Sequence, residues 1–107
     1  MNIFYLVIWL HFLADFCLQT DAMAKNKSTS LNWLTFHVVV YAIPFLLLGV
    51  KYALVNACAH WIVDFFTSRM TKGLWGAGRV RLFFVVIGFD QALHLTILYA
   101  TLGLVVL

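Results

Sequence analysis

The stretch HFLADFCLQ, residues 11–19, puts His11, Asp15 and Gln19 at every fourth position of an otherwise apolar run. Residues four apart on a helix lie on one face, a turn above one another. An imidazole, a carboxylate and an amide therefore share a stripe in a segment suited to lipid. The pattern recurs along the chain: HWIVD supplies His60 and Asp64, and DQALH supplies Asp90 and His94 in the reverse order. His37 is followed by Tyr41 at the same spacing, Asn56 precedes His60 by four, and Gln91 adjoins Asp90.

Such side chains are costly where they stand. An ionisable group at membrane depth costs roughly 2.5–3.5 kcal/mol on insertion scales, whereas hydrogen bonds between membrane helices return only about 0.6 kcal/mol on average. Structural pairing accounts for one His/Asp pair more readily than for three pairs plus His37. Neutral imidazole and carboxylate are ligands of zinc, iron and manganese. The expected site is a divalent metal centre, zinc foremost with iron or manganese as alternatives. Its ligands would come from His11, His37, His60, His94, Asp15, Asp64 and Asp90, the three aspartates being shared between ligation and base catalysis. Gln19, Tyr41, Asn56 and Gln91 would orient them from behind. Cys17 and Cys58 are offset by two residues from Asp15 and His60, form no metal-finger spacing, and are expected as buried thiols outside the site.

The elements that must position these residues follow from composition. The chain has 107 residues, 64% hydrophobic and 10% charged, far below the roughly one quarter charged residues of a soluble domain. Four apolar runs, at about 3–19, 33–50, 52–67 and 82–106, predict an all-α, four-span membrane bundle forming one domain over 1–107. The first run lacks a basic flank and is interrupted by His11 and Asp15, so it is expected as a retained span rather than a cleaved signal. TDAMAKNKSTSLN is a polar loop able to cap the second helix, Pro44 is a candidate kink, and SRMTKGLWGAGRVR is a basic, glycine-rich loop. Lys25, Lys27, Arg69, Lys72, Arg79 and Arg81 fall on one side and Lys51 alone on the other. That side should be cytoplasmic, with both termini on the non-cytoplasmic face. At about 1.5 Å per residue, all seven His and Asp residues of the spans then fall in the cytoplasmic half.

Weaker signals carry less. Gly73, Gly76 and Gly78 lack the strand and GK[ST] of a phosphate loop and suggest an interfacial turn. Trp9, Trp33, Trp61 and Trp75 suit interfacial anchoring or packing. The cations of the last loop set topology or attract anionic headgroups of membrane lipids, the expected partners. A net charge of +3 gives no support to nucleic-acid binding.

With HFLADFCLQTDAMAKNK, His37, HWIVDF and DQALH in view, the chain resembles a family of small bacterial and phage membrane proteins known as domain of unknown function 3307. The family pattern is HxxxDFxxQ, a lysine-containing stretch, a histidine in the next span, HxxxD and DQxxH. The resemblance implies His11, Asp15, Phe16, Gln19, His37, His60, Asp64, Asp90, Gln91 and His94 as signature positions, with Ala14 standing where glycine is expected. It also implies a multi-pass protein of the bacterial inner membrane and brings no activity of its own. A looser likeness links the chain to membrane-bound metal-dependent hydrolases, which gather histidines and acids from several spans. The leading expectation is a metal-dependent hydrolase of a lipid-linked phosphate or ester. A proton or metal-ion relay, which would require a homo-oligomer, is one alternative, and a phage-type membrane interaction factor without catalysis is another.

Overall fold

The computed structural model describes residues 2–106, which are all-α with no strand among them. Five α-helices follow in order: α1 Ile3–Phe12, α2 Asp21–Asn26, α3 Leu31–Phe45, α4 Val50–Gly76 and α5 Val80–Ala100. A π-helical segment, Leu13–Cys17, continues α1. Two stretches, Leu31–Leu48 and Val80–Ala100, are long and apolar enough to cross a membrane.

The polar stretch at residues 20–32 is not wholly a loop. Thr20 caps α2 by accepting from the Met23 amide at 3.2 Å, and Ser30 caps α3 by accepting from Trp33 at 3.3 Å. Two hydroxyl caps in thirteen residues define two helix starts. Pro44 does not kink a longer helix. Without an N–H it cannot hold Val40, and α3 tightens into a 3-10 turn at Leu46–Leu48 and stops.

α4 differs most from the hydropathy pattern. It continues past the apolar run to Gly76, so most of the basic third loop is helix and only Ala77 to Arg79 connect it to α5. The reason is a stripe that outlasts the hydropathy. Tyr52, Asn56, His60, Asp64 and Ser68 recur every fourth residue, all of them buried, and the next member is Lys72. One continuous inward face holds the helix together although its outer residues turn polar.

The Tyr99 hydroxyl donates to Phe4 O at 2.9 Å, Tyr52 donates to Leu98 O at 2.7 Å, and Val106 N donates to Leu48 O at 2.9 Å. These bonds gather the start of α1, the α3–α4 turn and the end of α5 at one end of the molecule. That end is packed with Val7, Leu10, Phe45, Leu48, Tyr52 and Leu98. The next turn of each long helix away from it is polar: His11 and Asp15, His37, His60 and Asp64, His94 and Asp90. The chain is therefore an apolar plug stacked on a polar layer. Its outer faces remain apolar, with Tyr5, Trp9, Leu47, Ile62, Phe66 and Phe89 exposed. Cys17 and Cys58 lie on these outer faces as free, exposed thiols, which corrects the expectation that they are buried. Their offset of two from the inward stripe turns them outward.

Gly49 makes the α3–α4 turn at φ 110°, ψ 147°, a backbone region essentially restricted to glycine. A Cβ there would also stand 3.4 Å from the Val106 Cβ and N. Gly49→Ala is expected to destabilise the fold by about 1–3 kcal/mol, read as a lowered thermal midpoint in detergent. An unchanged midpoint would contradict the strained turn.

Candidate metal centre

Asp15 lies inside the π-helical segment, where Leu18 N donates to Leu13 O at 2.9 Å across five residues instead of four. One wide turn inserted after α1 buries Ala14 and Asp15 and leaves Phe16 and Cys17 exposed. Such turns interrupt helices mostly at functional positions.

Around Asp15, four side chains from three segments present their polar atoms to one another. His37 Nε2 lies 3.2 Å from His60 Nε2, 3.3 Å from Asp15 Oδ1 and 3.4 Å from Asp64 Oδ2. His60 Nε2 lies 3.6 Å from Asp15 Oδ1 and 3.5 Å from Asp64 Oδ2. Zinc with bonds of about 2.0–2.1 Å sets its tetrahedral ligands about 3.3 Å apart. The histidine pair with either carboxylate thus forms a triangle of the size of one face of a zinc tetrahedron. Two groups among the described residues bring their donor atoms within 4.8 Å of one another, His37, His60 and Asp64 in one and Asp15, His60 and His94 in the other. These buried clusters can hold a metal ion, and His60 belongs to both.

The tautomer of His94 follows from its neighbour. Its Nδ1 is 2.7 Å from the Asp90 carbonyl oxygen, which only accepts, so Nδ1 carries the proton. Nε2 then presents a lone pair, and it is buried with no protein partner. A backbone carbonyl holding one imidazole nitrogen while the other is free is the usual arrangement behind a metal-ligating histidine.

His11 stands differently. The Gln91 Nε2 donates to Asp15 Oδ2 at 3.0 Å and Asp90 Oδ2 at 3.1 Å, which turns its Oε1 toward His11 Nε2 at 2.6 Å. His11 therefore donates from Nε2 and accepts at Nδ1 from the Tyr41 hydroxyl at 2.9 Å. Both of its nitrogens are engaged, and His11 joins neither donor group. Gln91 is the clamp that fixes an imidazole of α1 and two carboxylates, one from the π-helical segment and one from α5, in one arrangement.

Of the remaining sequence candidates, Tyr41 also stacks on His60 with ring centroids 3.9 Å apart. Asn56 bonds away from the centre, to Tyr52 O and Thr101 Oγ1, both at 3.0 Å. Gln19 Oε1 is buried without a partner. Three residues were not anticipated. Lys27 Nζ donates to Asp64 Oδ2 at 2.9 Å, Thr67 Oγ1 donates to Asp90 Oδ1 at 2.6 Å, and Ser68 is buried beside them. The four-residue stripe of α4 carried a signal for Ser68. Lys27 lay in a polar stretch with no register to place it.

The carboxylates open on a cavity of about 570 Å³. Asp15, Asp64 and Asp90 share its lining with Lys25, Lys27 and Lys72, with small polar side chains such as Ser68 and Thr71, and with the aromatic rings of Phe16, Trp75, Phe83 and Phe84. Cations from residues 20–32 and from the far half of α4 therefore meet at the same end.

Residues 3–107 match the family described as Protein of unknown function (DUF3307), and the chain belongs to that family. No curated protein and no solved structure matches it.

Replacing Gln91 by Leu would leave His11 Nε2, Asp15 Oδ2 and Asp90 Oδ2 each short of a partner. At about 1–3 kcal/mol per unpaired buried group, Gln91→Leu should lower the thermal midpoint far more than Asn26→Leu, whose amide only bonds within α2. Equal shifts in the two variants would rule out the clamp.

Proposed function

We propose that this DUF3307 protein is a multi-pass protein of the bacterial inner membrane that binds a divalent metal in its His/Asp centre and hydrolyses a lipid-linked phosphate or ester. The observation that carries the reading is the pair of donor triangles sharing His60, next to a cavity of ligand size. His37, His60, His94, Asp15 and Asp64 are the ligands, with zinc the first candidate. Gln91 holds Asp15, and His11, itself held by Tyr41, holds Gln91 in place.

The membrane assignment is supported by the apolar outer faces and the two helices of spanning length. α1 with its π-helical extension and the apolar part of α4 are the other two spans, with both termini on the non-cytoplasmic side. The cationic end, with Lys25, Lys27 and Lys72, faces the cytoplasm. A one-sided pocket is favoured over a relay across the membrane because the layer beyond His11 and His60 is filled by Val7, Phe45, Leu48, Tyr52 and Leu98. The polar groups in that layer, on Tyr52, Asn56 and Thr101, are hydrogen-bonded within the protein.

Held by these ligands, a divalent cation would supply Lewis-acid polarisation of a scissile group and would lower the pKa of a bound water. Asp90 lies on the cavity wall outside both donor groups, where Thr67 and Gln91 fix its carboxylate, and it is placed to take the proton of that water.

Elemental analysis of detergent-purified protein tests the centre. Near-stoichiometric zinc, iron or manganese is expected in the wild type and absent from His60→Ala and Asp64→Asn, while His11→Phe should retain the site at an affinity lowered about 10–100-fold. Wild-type protein free of metal after metal-supplemented purification would refute the reading. With metal bound, Asp90→Asn should lower turnover of a lipid-linked phosphate or ester by about 10²–10⁴-fold at unchanged metal content. A variant as active as wild type would remove Asp90 as the base.

A further inference from the structure

The cavity has more polar equipment at its mouth than the metal centre uses. Ser68 is 6% exposed, lines the cavity, and its Oγ has no partner. The buried Gln19 Oε1 likewise has no partner, and Gln19 lines the same cavity. A buried hydroxyl without a partner costs free energy unless something outside the protein completes it. Lys25 and Lys72 line the same space and are exposed, and neither has an ion-pair partner among the described residues. Lys27, by contrast, is taken up by Asp64.

The wall beyond these groups is apolar. Trp75 and Phe84 are each 60% exposed and Phe16 is 49% exposed, so the rim that they form opens onto the outer apolar surface. Phe83 and Ile87 extend that wall inward. An occupant must therefore carry negative charge and hydrogen-bond acceptors at one end and hydrocarbon at the other. A soluble anion would leave the aromatic rim unused, and a neutral lipid would leave the lysines and Ser68 unanswered.

We propose that the cavity is a headgroup site for a phosphomonoester lipid, its phosphate held by Lys25, Lys72 and the Ser68 hydroxyl and its chain leaving between Phe16, Trp75 and Phe84. The site deepens the hydrolase reading and rests on its membrane assignment: the phosphate sits between the two lysines at the mouth and the acid-lined floor, within reach of the centre. The headgroup site itself needs no metal. Its lysines lie in the two cationic segments, so the residues that orient the chain in the membrane also select what enters.

Equilibrium binding of dioctanoyl phosphatidic acid to the detergent-purified chain in excess chelator tests this site apart from the metal. Phosphatidic acid should bind at least about tenfold more tightly than dioctanoyl phosphatidylcholine. Lys25→Gln and Lys72→Gln should each weaken it about fivefold, and together more. Lys25→Arg should preserve binding, and Ser68→Ala should weaken it with an unchanged thermal midpoint. Equal binding of the two lipids, or binding indifferent to both lysines, overturns the proposal. Inorganic phosphate displacing the lipid at equal concentration would overturn its lipid half and leave a free-phosphate site. Lipid binding that persists in a protein found to hold no metal would uphold the headgroup site and sink the metal centre alone.

Discussion

The arrangement depends on one constraint: six ionisable side chains, His11, Asp15, His37, His60, Asp64 and His94, are buried, and their charge and polarity must be answered from within the cluster. The cost of an unanswered polar group in such surroundings is large enough to dictate geometry. His60 is where these requirements meet. Its Nε2 faces His37, Asp15 and Asp64 within 3.6 Å, and its ring is stacked against Tyr41 and His94. A shift of α4 by one residue would remove His60 and Asp64 from the centre together and turn apolar side chains toward the carboxylate of Asp15.

The remaining architecture can be understood as support for that layer. The apolar plug closes one end, and the carboxylates open on the cavity at the cationic end. The strained turn at Gly49 and the Val106 to Leu48 bond lock the plug and set the height of α4 against α3 and α5. The π-helical segment adjusts the other partner, turning the Asp15 carboxylate inward where the neighbouring Phe16 turns out. Gln91 then joins α5 to α1 by bonds that a shorter or apolar side chain could not make.

Charge is organised along the same axis. Lys27 answers Asp64 directly, while Lys25 and Lys72, which line the cavity, have no ion-pair partner among the described residues. The centre would otherwise combine several carboxylates with only one ammonium group, a balance that a dication improves. The exposed aromatic rim beside the lysines gives the cavity an amphiphilic entrance. A purely aqueous site would not need it.

The amino-acid pattern alone determined that the chain is all-α, that His and Asp recur four apart on inward stripes, and that they lie at a common level. Periodicity is local information, and the cost of burying such groups makes their clustering informative. The matching motifs also carried the family. Only the tertiary structure decided that His11 is tied up by Tyr41 and Gln91, which arrive from other helices, while His94, held at Nδ1 by the Asp90 carbonyl of its own helix, meets no partner at Nε2. It likewise turned Asn56 toward Thr101, brought Lys27 onto Asp64, and carried α4 past its apolar run. The partners of His11, Lys27 and Asn56 lie thirty or more residues away in sequence, where neither hydropathy nor spacing can place them.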